Sequence, residues 1–132
     1  MSIIVGQSFA ESVFTINRSS LLAYAQASGD HNPIHLDEAF AKSVGLPDVI
    51  AHGMYTMALA GEAVRLWLGN EKEIIDFSTR FTKPVVVPAD VQVHILFSGQ
   101  VNQVIDDVAT IDVSAVCDGV KVLGQTKVRV RL

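Results

Sequence analysis

Apolar residues recur at every second position through much of the C-terminal half of the chain. Val91, Val93, Ile95 and Phe97 alternate with Gln92, His94, Leu96 and Ser98 within the segment Val91–Val101. Val108–Cys117 alternates again through Thr110, Asp112 and Ser114, and Val120–Leu132 through Val120, Val122, Thr126, Val128 and Val130. A period of two turns one side of each segment to a core and the other to solvent, which is the pattern of a half-buried strand. Asp118-Gly119, between two of these segments, is a strong two-residue hairpin signal, because such a turn favours residues that accept positive φ. Ile74–Thr82, ended by Pro84 and Pro88, and the weaker Ser12–Ile16 complete about five strands. Consecutive, turn-connected strands predict an antiparallel sheet.

Residues 18 to 69 follow a different rhythm, that of helices and loops. Ser19 or Ser20 is placed to cap a short helix through Leu21, Leu22, Tyr24 and Ala25, ending near Ser28-Gly29. Asp37 is placed to cap a second over Glu38–Val44, with Gly45 as its stop and Pro47 beyond. A third starts near His52-Gly53 and stops at Gly69-Asn70. Eleven of the fifteen residues from Met54 to Leu68 are apolar, and the charged residues Glu62 and Arg65 mark one narrow stripe. A helix apolar on most of its circumference is expected to be buried nearly all round, so the strands must wrap it. The expected fold class is α+β, a five-stranded antiparallel sheet around one long helix, in one domain spanning residues 1–132.

Composition sharpens this picture. Apolar residues make up 49% of the chain and charged residues 18%, against about 25% charged in ordinary soluble domains. Such a chain buries enough surface to fold, and its lean charged surface predicts that part of it is covered by a partner, hence an oligomer. The net charge is −4 with no basic block, which argues against a nucleic-acid phosphate track. The single cysteine, Cys117, cannot form an internal disulfide or a cysteine zinc site. The Met54–Leu68 run is short for a bilayer and is interrupted by charge, and residues 1–12 lack the pattern of a signal peptide. The expected location is the cytoplasm, with no membrane partner.

The run Ser28-Gly29-Asp30-His31-Asn32-Pro33-Ile34-His35 stands apart, with ionisable groups among small residues between two helices. Pro33 disfavours a helical conformation at Asn32, so Asn32 either caps a helical turn that has Pro33 at its first position or makes an Asx turn. On a straight helix, Asp30 and His35 would point about 140° apart; a bent loop lets them converge. A carboxylic acid and an imidazole around one water form an acid–base dyad. Ala51-His52-Gly53-Met54 supplies a helix start, where free N–H groups and the positive dipole end can hold an oxyanion, and Gly53 has no side chain to block approach. His52 itself reads as a structural residue tying the helix start. His31 and His35 have the four-residue spacing of helical metal ligands, but Pro33 lies between them, and no metal site is expected.

The stretch Tyr24-Ala25-Gln26-Ala27-Ser28-Gly29-Asp30-His31-Asn32-Pro33-Ile34-His35 resembles the signature of the MaoC-like, R-specific hydratase/dehydratase family. Ala51-His52-Gly53-Met54 and Arg80-Phe81-Thr82-Lys83-Pro84-Val85 are similar too, in the expected order. The resemblance implies a hotdog fold and an enzyme acting on acyl thioesters of coenzyme A or acyl carrier protein. Its reaction would interconvert a trans-2-enoyl thioester and an R-3-hydroxyacyl thioester by syn addition or loss of water, without metal or redox cofactor. Asp30 and His35 match the catalytic pair, Asn32 the residue that orients the pair or the water, and Gly53 the backbone donor to the thioester carbonyl. Met54 and Tyr55 are the candidates for lining an acyl pocket, and Arg80 and Lys83 for meeting a carrier phosphate. The resemblance also implies a homodimer, or a heterodimer with a related subunit lacking the dyad. One departure is Gly61, where some members carry a serine near the active-site water. A hotdog thioesterase and a non-catalytic acyl-thioester-binding subunit are the alternative functions.

Overall fold

The first strand of the computed structural model, which describes residues 2–132, is β1 (Ser8–Ile16) at one edge of the sheet. Three helices follow: α1 (Arg18–Ser28), α2 (Glu38–Ser43) and α3 (Gly53–Leu68), with a single 3-10 turn at Pro33–His35 between the first two. The remaining strands are β2 (Glu73–Phe81), β3 (Val93–Ile105), β4 (Val108–Cys117) and β5 (Val120–Arg131). All pairings are antiparallel, in the order β1-β3-β4-β5-β2. The sheet wraps α3, so the molecule is an α+β hotdog. The β4–β5 hairpin turns on Asp118 (φ 51°) and Gly119 (φ 73°), both left-handed, as that dipeptide predicts.

Inward residues of the sheet, among them Ile95, Phe97, Ile111 and Val128, form the core with Leu21 of α1 and Ala60, Ala63 and Val64 of α3. The alanines let the helix lie close to the sheet. Gly99 serves the same end at one point: a Cβ there would sit 2.4 Å from the Trp67 ring, which stacks on Phe9 at 5.4 Å.

Several sequence expectations need correction. The cap of α1 is Asn17, not Ser19 or Ser20: Asn17 Oδ1 accepts from the Ser20 N–H at 3.0 Å, and Ser20 Oγ accepts from the Asn17 N–H at 3.1 Å. This reciprocal capping box satisfies two otherwise free donors. The strand β1 begins at Ser8 rather than Ser12, because a bulge between Phe9 and Ser12 breaks the alternation without ending the ladder. A second bulge after Val101 likewise hides the continuation of β3 to Ile105. The helix α3 is not buried nearly all round. Thr56, Ala60, Ala63, Val64 and Leu68 face inward, while Met54 and Leu66 are 57% and 55% exposed. One sheet covers one face of a helix, and the opposite apolar face of α3 remains open in a single chain.

A short irregular ladder brings the chain to the start of α3. Ala51 N–H donates to Val85 O at 2.9 Å and Val87 N–H to Val49 O at 2.8 Å, around the Ile50–Val86 bridge. Arg18 locks this strap from outside, bonding Val87 O at 2.5 Å and Asp48 Oδ1 at 2.7 Å.

Candidate functional site

The loop from Ser28 to His35 is shaped by its own polar side chains. Asp30 N–H donates to Ser28 Oγ (3.1 Å), Asn32 N–H to Asp30 Oδ1 (3.1 Å), and Ile34 N–H to Asn32 Oδ1 (3.2 Å). Asn32 thus caps the 3-10 turn, with Pro33 at its first position. This succession of side-chain caps turns the backbone sharply and delivers His35 into the fold, 8% exposed, while Asp30 stays at the surface.

The strap then fixes the imidazole. Ile50 N–H donates to Ile34 O at 3.2 Å, and Ile50 O accepts from His35 Nδ1 at 2.7 Å. A carbonyl only accepts, so the His35 proton lies on Nδ1 and Nε2 keeps a free lone pair. Burial pushes the His35 pKa below its ordinary value of 6.5; the bond to Ile50 opposes this, neighbouring His52 adds to it, and Asp30 opposes it.

The His52 ring lies against His35, with centroids 3.9 Å apart and planes 25° apart. His52 Nε2 donates to the Asp30 carbonyl at 3.0 Å. Polar atoms of Asp30, His35 and His52 all lie within 4.8 Å of one another. On its other side His52 meets the Tyr24 ring at 4.7 Å, and Tyr24 stacks on Tyr55 at 4.9 Å.

This cluster opens onto a cavity of about 370 Å³, which also takes in Gly53, Met54, Thr56, Phe81 and Lys83. His52 is the N-cap of α3, yet no side chain caps the helix. The first N–H groups of α3 therefore meet the cavity without an intrahelical partner, at the positive end of the helix dipole. Gly53 also makes room for a ring: a Cβ there would lie 3.0 Å from Phe81.

Of the residues singled out from the sequence, Asp30, His35, Gly53, Met54 and Lys83 line this cavity. Asn32, Tyr55 and Arg80 are not among its walls: Asn32 shapes the loop, Tyr55 stacks on Tyr24, and Arg80 lies exposed on β2 opposite Gly124. Gly61 lies about 12 Å along the helix from Gly53 and borders a second cavity, beside Phe77; the threonines that line the cavity of Asp30 and His35 are Thr56 and Thr82, the latter bonded to Lys121 O. Sequence reasoning missed the places of Thr56, Phe81 and Leu123 in the wall and the reach of His52 back to the loop. The only trace of the Phe81 contact was a glycine at a helix start.

The donor set is poorly matched to a metal ion. His35 Nδ1 and His52 Nε2 are committed to carbonyls and His52 Nδ1 is fully buried, so His35 Nε2 and the Asp30 carboxylate are the two accessible donors, short of the three or four that zinc takes. His31 is not part of the converged group.

A hotdog sheet with an Asp/His loop facing an uncapped central helix defines a recognisable class. The chain belongs to the MaoC-like family: the MaoC like domain matches residues 4–117. It is 40% identical over 85 residues to the 3-hydroxyacyl-thioester dehydratase X of Mycobacterium tuberculosis, a match covering 63% of this chain and 29% of that protein. A fatty acid synthase β subunit of Cochliobolus carbonum is 38% identical over 97 residues, covering 72% of this chain and 5% of that protein. The chain thus spans less than a third of the length of these curated relatives. Among solved structures, a MaoC-like dehydratase superposes with a TM-score of 0.93 at 33% identity, over 98% of this chain and 41% of that one. The (R)-hydratase from A. caviae involved in PHA biosynthesis superposes with a TM-score of 0.89 at 26% identity, over 99% of this chain and 98% of that one. No helix among the described residues is long and apolar enough to cross a membrane.

Proposed function

We propose that this chain, as one domain over residues 1–132, is a hydro-lyase interconverting trans-2-enoyl thioesters and R-3-hydroxyacyl thioesters of coenzyme A or acyl carrier protein. The observation that carries this reading is the convergence of Asp30 and His35 on one end of a cavity whose wall includes the uncapped start of α3. In the hydration direction, a water between the Asp30 carboxylate and His35 Nε2 gives a proton to the pair. Its oxygen bonds to the β-carbon, and the double-bond electrons move toward the thioester carbonyl. The Gly53 N–H holds the developing oxyanion. The pair returns a proton to the α-carbon, restoring the carbonyl; one water has been added across the double bond. Removal and delivery from one place give syn addition. The two groups share a proton as a unit, so acid and base belong to the pair rather than to either residue.

Asn32 sets the loop that carries the pair, Met54 borders the acyl group, and Lys83 at the cavity offers a cation to a carrier phosphate. The exposed apolar face of α3 and Phe81, which is 55% exposed, support a homodimer, because such a surface on a soluble domain seeks a partner.

The test is loss of enoyl-thioester absorbance when the purified protein meets crotonyl-CoA. Hydration that falls by about 10²–10⁴-fold in Asp30→Asn is the expected result. Release of free thiol without hydration would replace the lyase with a thioesterase.

A further inference from the structure

Residues 29–33, which carry Asp30, have one hydrogen bond to a distant part of the chain: His52 Nε2 to the Asp30 carbonyl, across 22 residues of sequence. Their other bonds are to close sequence neighbours such as Ser28, Ile34 and Ala25. Asp30 is exposed, so packing does little to fix it. His35, in contrast, is held by Ile50 and by burial. The separation of the two groups therefore depends on whatever anchors the Asp30 backbone.

We propose that His52 is the positioning residue of the dyad: its Nε2–H anchors the Asp30 backbone while its ring face backs the His35 imidazole, so one buried side chain sets the spacing of both groups. This rests on the hydro-lyase reading for what the spacing serves. His52 is 1% exposed and stands between two rings, His35 on one side and Tyr24 on the other. It cannot turn without displacing one of them. Its second nitrogen, Nδ1, is buried without a hydrogen-bond partner. An apolar ring would fill this space with no orphaned acceptor, and a helix-capping side chain would bond the α3 backbone, which the His52 ring does not. What the imidazole adds over an apolar ring is the donor to Asp30, beside its smaller influence on the His35 pKa.

Two variants separate the anchor from the filler. His52→Phe keeps a ring between Tyr24 and His35 and removes the donor. His52→Gln loses the ring and keeps an amide N–H that reaches a similar depth. The expected result for His52→Phe is an unchanged thermal midpoint and KM for crotonyl-CoA, with kcat reduced on the order of 10²-fold, the scale of a misplacement near 1 Å. His52→Gln recovers part of that loss. In an Asp30→Asn background, His52→Phe costs less than about twofold, because the group it positions is already gone. The same loss in both backgrounds, or a His52→Gln variant worse than His52→Phe, would overturn the proposal.

Amide hydrogen exchange of residues 29–35, measured without substrate, provides a readout independent of activity. Exchange in 29–33 is faster in His52→Phe than in wild type or His52→Gln, while Leu21 and Ala60 in the core stay protected. Unchanged exchange in 29–33 removes the anchor. If the wild type fails to hydrate crotonyl-CoA, the lyase reading fails while the exchange result still decides the anchor.

Discussion

The two ends of α3 sit beside cavities of similar size, about 370 and 420 Å³, and treat their polar groups in opposite ways. At the C-terminal end the groups satisfy one another. Gly69 N–H donates to Arg65 O at 2.8 Å, and the Arg65 guanidinium bonds Glu62 one turn back and Asn70 ahead. A cation also suits the negative end of the helix dipole there. At the N-terminal end no side chain caps the helix, and beside it stand an imidazole lone pair and a carboxylate whose one hydrogen bond is to the Asn32 N–H of its own loop. A fold closes polar groups where it needs only stability and leaves them open where something else must bind. The cavity that holds the unfinished set is the one to which the proposed hydro-lyase reading assigns the reaction.

The largest break in this contrast is expected from His35→Ala. It removes the lone pair that the Ile50 carbonyl holds in place, and turnover should fall by about 10²–10⁴-fold while the circular dichroism spectrum stays that of the wild type. Near-normal turnover would move the chemistry away from the dyad.

Next in size is Gly53→Ala. Two explanations of this glycine compete: an open approach to its N–H, and room for the Phe81 ring, 3.0 Å from the added Cβ. Phe81→Leu relieves the second without touching the first. Gly53→Ala is expected to lower kcat by about 10²-fold, the scale of one lost oxyanion donor, and the Gly53→Ala/Phe81→Leu double variant to stay low. Recovery in the double variant would make the glycine a packing residue.

Elements set by repeating patterns are legible in the sequence. The β4 boundaries, the α3 start and the Asp118-Gly119 turn all follow from period and turn chemistry, and they recur in the structure. That Asp30 and His35 could converge was suggested by one local fact, that Pro33 disfavours a helical conformation at Asn32, and the two groups do lie together. Features that pair distant residues without a period left no such trace. The strap of Val49–Ala51 on Val85–Val87 is too short and irregular to alternate. The bulge in β1 masks a strand that the ladder with β3 sustains. His52 looked like a residue belonging to its own helix, because nothing in the neighbouring sequence points to a carbonyl in the preceding loop. Residue types and local turns told which groups come together at the cavity; tertiary contacts decide how far apart they stand.

The closed end of α3 has a prediction of its own. Gly69 has φ 98° and ψ 157°, a region that essentially only glycine occupies, so Gly69→Ala should cost about 1–3 kcal/mol of stability. Its effect on kcat is expected to be negligible below the unfolding transition. A denaturant midpoint lowered with turnover intact keeps the two ends functionally separate; a parallel loss of activity would join them.

The smallest effect is one of pH, and it tests whether the buried imidazole behaves as its surroundings require. Burial is the largest influence on His35 and lowers its pKa from 6.5 in the folded chain. At pH well above 6.5 the ring is neutral whether the chain is folded or not, and the shift contributes nothing to stability. As pH falls through 6.5, the unfolded chain takes up a proton that the folded site still refuses. Stability must then fall with pH, and the loss levels off only below the folded pKa. The same shift keeps the Nε2 lone pair unprotonated on the acid side of the usual histidine range. Thermal midpoints measured from pH 8 downward should therefore decline more in the wild type than in His35→Gln, which has no imidazole to protonate. A decline of equal steepness in both would show that other groups control the acid response and that His35 is not held neutral by its burial.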